Sequence, residues 1–222
     1  MMALLVFREK LRAFYGKYVA FLIPLMKFAL SLASFLILND TVGYMDKLKN
    51  PLIATGLALV CSVLPYGLIA FLTGAVLLAH ISSVSMEMTL VLAVLLVMVA
   101  ILYYGFQPGD SYLLLLTPIF FQLKIPYVIP ILVGLSGGLA SVVPVSCGVF
   151  LYYIIQYVGQ NAGVLTSDAA LDITQKYVQI IKSMTSNHLM LVMLAACIIS
   201  ILVVYLIRTL SVDYSWHIAI VA

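Results

Sequence analysis

The chain has 222 residues, of which 65% are hydrophobic and only 9% charged, with a net charge of +3 and a mean hydropathy of +1.21. A soluble domain carries roughly 25% charged residues to build its polar skin, so a water-soluble globule is excluded, and the small net charge gives no nucleic-acid footprint. Long unbroken apolar runs also argue against a membrane β-barrel, whose strands alternate apolar and polar residues. The expected fold class is an all-α polytopic transmembrane helix bundle solvated by the lipid bilayer, with room for about six spans of about 20 residues each.

Residues 1–18 mix Val6, Phe7, Leu11 and Phe14 with Arg8, Lys10, Arg12 and Lys17. This reads as a basic amphipathic segment lying in the membrane interface. Its charges follow the first apolar stretch, the reverse of a cleavable signal peptide. The positive-inside rule places this N-terminus in the cytoplasm, at a plasma or inner cell membrane. With six spans, Lys124 and Arg208 join it inside, while Lys47, Lys49, Lys176 and Lys182 fall outside.

The first span is expected over 19–38, followed by a polar loop over 39–50. The uncharged stretch 51–80 is longer than one crossing needs, and Pro65-Tyr66-Gly67 at its middle marks a kink or a break. A third span is expected over 86–105, then a turn at Gln107-Pro108-Gly109-Asp110. A short apolar run, 113–122, precedes Lys124, and a second long uncharged stretch covers 125–158 with Pro126, Pro130 and Pro144. Helical spacing of Leu171, Val178 and Ile181 beside Asp172, Lys176 and Lys182 predicts an amphipathic surface helix near 167–184. The last clear span is expected over 188–207, and the tail 213–222 turns apolar again.

An internal repeat is the sharpest pattern. Ser62-Val63-Leu64-Pro65 returns as Ser141-Val142-Val143-Pro144, 79 positions later. Leu22-Ile23-Pro24 faces Leu116-Thr117-Pro118 at offset 94. Met88, Leu92 and Tyr103 face Met190, Leu194 and Tyr205 at offset 102. The units are 19–110 and 111–212, each of three spans with a proline-interrupted middle helix. An odd number of crossings turns the second unit upside-down, giving an inverted repeat of the kind secondary transporters use.

Candidate substrate-binding residues follow from that symmetry. Lys27 lies about nine residues into the first span, where a charge is costly and marks a site by default; snorkelling to the interface is its bland alternative. Ser62, Pro65, Ser141 and Pro144 frame the interrupted helices, and Gly134, Ser136 and Gly137 lie in the run Gly134-Leu135-Ser136-Gly137-Gly138. Irregular backbone at membrane depth is tolerated only inside protein or along a cavity, while small residues also serve close helix packing. The run has the Gly-x-Ser-Gly form of intramembrane serine proteases, with His188 as the partner Ser136 would need.

Cys61, Cys147 and Cys197 fall in apolar segments and fit packing better than a disulfide or a metal site. No phosphate-binding loop or metal motif is present, so neither cofactor nor metal is expected, and pumping would need a partner ATPase or an ion gradient. The sequence therefore reads as a non-enzymatic membrane transport protein, channel or substrate-binding subunit for a small solute. The alternatives are a non-transporting subunit of a larger envelope, secretion or signalling complex, with a protein partner or a homo-oligomer, and, more remotely, an intramembrane serine protease.

Overall fold

A computed structural model describes residues 2–106, 108–166, 178, 181–182 and 186–209. The expected surface helix over 167–184 and the tail 213–222 lie almost wholly outside these residues. The described chain is 89% helix and has no strand. Its main helices are α1 (Met2–Val42), α2 (Asp46–Lys49), α3 (Pro51–Cys61), α4 (Tyr66–Ser82), α5 (Met86–Phe106), α6 (Ser111–Gln122), α7 (Val128–Ser136), α8 (Val142–Thr166) and α9 (His188–Thr209). Four stretches are long and apolar enough to cross a membrane: Arg12–Val42, Met86–Phe106, Leu139–Gln160 and His188–Thr209. The helices α3, α4 and α6 are apolar but shorter.

No break separates 1–18 from the first span. One 41-residue helix runs through Pro24 to Val42. Its outer part is exposed, and packing begins near Lys27, with Ser31 as the first buried side chain among the described residues.

The long stretch 51–80 is not one kinked span. Asn39, near the end of α1, donates from Nδ2 to the Leu48 carbonyl at 3.2 Å and meets His80 Nε2 through Oδ1 at 3.0 Å. The start of α3 and the end of α4 therefore share one end of the bundle, here the upper end. Ala54, Ala58 and Cys61 of α3 and Ile69 of α4 pack together with Phe35 of α1. The chain descends in α3, turns at 62–65 and climbs back in α4. Pro65 sets this turn, because its missing N–H and fixed φ suit the residue just before a new helix.

The second long stretch repeats the manoeuvre. The helix α7 descends to a break at 137–141, and α8 climbs from it. Ser141 at the foot of α8 meets Asp110, and Val158 near its top packs with Leu38, Val42, Ile81 and Met88. Tyr44, between α1 and α2, donates to the Val158 and Gly159 carbonyls at 3.3 Å. Burial pushes the Tyr44 phenol above its ordinary pKa, which keeps this donor protonated.

Helix directions follow from these pairs. The helices α1, α4, α6 and α8 climb, while α3, α5, α7 and α9 descend. Each half is thus up, down, up, down, and the second half is not upside-down. The inverted reading counted each interrupted segment as one crossing, whereas each is two antiparallel helices. Residues matched between the halves fall on equivalent helices: Pro24 and Pro118 inside α1 and α6, Met88 and Met190 on α5 and α9.

Candidate functional site

Both breaks lie at the lower end, and the start of α6 stands between them. Lys27 places Nζ 5.3 Å from the ring centre of Tyr66, the first residue of α4. Tyr66 meets Tyr112 of α6 edge-on, with ring centres 6.1 Å apart. Two residues earlier, the Asp110 carboxylate accepts from Ser141 Oγ at 2.5 Å. Ser111 is hydrogen-bonded to the Tyr103 hydroxyl of α5. A path of polar and aromatic side chains so runs from Lys27 at the first break to Ser141 at the second.

The turn at 108–110 makes this path. Asp110 stands just before α6 and Tyr112 in its first turn. Gly67 lets α4 close on the path, since a Cβ there would stand 3.0 Å from the Tyr104 hydroxyl and 3.6 Å from Ser111 Oγ.

A second element braces the break at 137–141. Arg208, near the end of α9, donates from one nitrogen to the carbonyls of Leu135 at 2.6 Å, Gly137 at 3.2 Å and Gly134 at 3.4 Å. These carbonyls end α7, where a helix leaves acceptors unmatched and its dipole is negative.

Above the path lies a cavity of about 260 Å³ enclosed by α1, α4, α5, α6 and α8. Ile37, Leu38, Leu77, Leu114 and Leu151 give it aliphatic walls, Gly74, Ala93 and Ala100 leave it room, and Tyr103 and Tyr104 form its lower end. Its polar neighbours Ser34 and Thr73 bond to carbonyls of their own helices. Phe71 on α4 and Val97 on α5 are 70% and 58% exposed, so the cavity opens sideways between these helices.

The predicted residues divide. Lys27, Gly137 and Ser141 belong to the constellation, and Pro65 sets the turn beside Tyr66. Ser62 and Ser136 turn their hydroxyls back to the Leu59 and Leu132 carbonyls, both at 2.6 Å. Gly134 is a packing residue, since a Cβ there would lie 2.7 Å from Val204. Pro144 is buried in the first turn of α8, where a missing N–H costs little. Ser136 stands at the lower end and His188 begins α9 at the upper end, about 30 Å away by the rise of a helix, so that pair is not brought together. The three cysteines are free and buried. Among the described residues no group of three or more His, Cys, Asp or Glu could hold a metal.

Sequence reasoning missed Tyr66, Asp110, Tyr112 and Arg208. Asp110 stood at a span end and read as interfacial, while Arg208 read only as the close of the last span. The usable signal was the aromatic pairing around the Pro-Gly-Asp turn. Comparison of the chain with family models, with curated proteins and with solved structures finds no match.

Proposed function

We propose that this chain is an integral membrane transport protein for an amphipathic small solute. The supporting observation is the convergence of two interrupted helices at one end of the bundle, directly beneath an apolar cavity that opens sideways. Interrupted helices free backbone acceptors at membrane depth, and such backbone is tolerated where it lines a site. The near absence of polar groups in the cavity wall favours a solute with a hydrocarbon part over a bare ion. The polar path at its lower end supplies the orienting groups. In this reading α1, α5, α8 and α9 cross the bilayer, and the basic N-terminal end faces the cytoplasm.

The test is transbilayer movement of a fluorescent amphiphile in liposomes holding the purified full chain, beside Ser141→Ala and Asp110→Asn. Movement above protein-free vesicles that falls in both variants is the expected result. No movement, together with a Ser141→Cys chain free of other cysteines that reacts from neither side, overturns the proposal. The chain would then be a non-transporting subunit.

A further inference from the structure

We infer that the cavity between α4 and α5 takes one hydrocarbon chain of an anionic bilayer lipid, and that Lys27 receives its headgroup. The inference rests on the site of the transport reading and names the chemical class that binds there.

Three observations carry it. The first is size and chemistry. An apolar cavity of roughly 150 Å³ already stays dry and accepts a benzene ring. At about 260 Å³ this one holds a longer hydrocarbon but not a bulky polar solute. The second is access. Phe71 and Val97 stand exposed on the two lips of the opening, on faces otherwise made of apolar side chains. A lipid chain enters there from the side without crossing water.

The third is charge placed in register. Lys27 is seven residues below Ser34, and Tyr66 four below Ala70; Ser34 and Ala70 both line the cavity. Residues four and seven apart share one helix face. Lys27 and Tyr66 therefore continue the cavity walls by one to two turns toward the lower end. Among the described residues no carboxylate pairs with Lys27. Its ammonium stands over the face of the Tyr66 ring, a cation–π contact. Its flexible stem lets the ammonium reach the headgroup level. Asp110, the acid at the start of α6, accepts from Ser141. The free positive end thus belongs to the lower mouth of an apolar slot, which matches an anionic head above one chain.

The test uses the full chain in vesicles of equal parts phosphatidylglycerol and phosphatidylcholine. One or the other lipid carries a photoactivatable diazirine in one chain. The expected result is labelling concentrated on 67–78 and 93–104, with the acidic lipid preferred. Gly74→Leu fills the slot and should cut that labelling by about tenfold; a methyl at Gly74 meets Leu96 only at ordinary contact, 3.6 Å. Lys27→Gln should leave chain labelling in place and remove the headgroup preference, and Lys27→Arg should keep it. Even labelling of all lipid-facing helices, unchanged in Gly74→Leu, overturns the inference. So does equal labelling by both lipids in the unaltered chain. Concentrated labelling without transbilayer movement removes the transport reading and leaves this one standing. Movement of an amphiphile without concentrated labelling does the reverse.

Discussion

The two interrupted segments, 51–82 and 128–166, share a plan and differ in where they are held. The first is tied at its open, upper end. His80 accepts from the Met45 amide through Nδ1 at 3.3 Å, which leaves Nε2 to donate to Asn39. Its lower turn stands out from the fold, with Val63 83% exposed and Pro65 exposed. The second is tied at its lower turn, by Arg208 on three carbonyls and by Asp110 on Ser141. Hydrogen bonds to charged groups contribute about 1.5–3 kcal/mol each and neutral ones about 1. The second turn is therefore the fixed wall of the site and the first the adaptable one. The adaptable segment also forms one lip of the cavity, through α4.

The widest test of this contrast is topological, because its outcome is all or none. If 51–82 is a hairpin, cysteines placed at Asn50 and Ser83 in a cysteine-free chain react with an impermeant thiol reagent from the same side of a vesicle. A single kinked span would put them on opposite sides. A cysteine at Val63 reports the turn, and reaction from the other side would place it near the far surface.

Removing the brace on the second turn should have the largest energetic effect. Arg208→Met leaves the ends of three carbonyls without their donor. The carbonyls are part-buried and share the two hydrogens of one nitrogen, so a loss of about 2–3 kcal/mol is expected. A marked fall in thermal midpoint in detergent is the expected outcome. Arg208→Lys should recover only part of it, since a compact, strongly hydrated ammonium gives up water less readily than a guanidinium. Full recovery by lysine would reduce the brace to simple charge.

Loosening the first segment should cost less. His80→Leu strips a partner from Met45 N and from Asn39 Oδ1, two half-buried groups around a fully buried ring. About 1–2 kcal/mol is expected from two part-buried groups. Combined with Asn39→Ala, the loss should fall short of the sum, because the two share one bond. Strict additivity would show that the Asn39 contact contributes nothing.

Composition made the helical, lipid-adapted character of the chain legible, since no arrangement of these residues could clothe itself in water. Helix ends were legible where turn chemistry is local: α5 and α9 fall within two residues of their expected bounds. The interrupted segments were legible as breaks but not as reversals. Proline at 65 fixes one φ angle and removes one donor, and both a kink and a hairpin satisfy that. The choice is made by Ala54 and Ala58 packing on Phe35, and by His80 finding Asn39 41 residues away. The same limit hid the site. Lys27 stood out because a charge inside an apolar run is costly wherever the chain goes. Tyr66, Asp110 and Tyr112 acquire meaning only once α4 and α6 start side by side.

The finest test compares two glycines. Gly134 of α7 lies in the fixed wall, where a Cβ would stand 2.7 Å from Val204 Cβ and Cγ1 and 3.3 Å from the Ile201 carbonyl. A β-branched side chain and a helix backbone cannot swing aside as a long flexible tip can. Gly134→Ala should therefore force α7 and α9 apart, at about 1–3 kcal/mol for overpacking. Gly56 of α3 lies in the adaptable segment with nothing within 4 Å of its added methyl. There the only change is a gain in helix preference, so Gly56→Ala should stabilise by up to about 1 kcal/mol. Opposite signs in thermal unfolding would support one close-packed wall beside one loosely set one. If Gly56→Ala also destabilised, α3 would have to be packed more tightly than its open face implies, and the first turn would lose its claim to be the adaptable half.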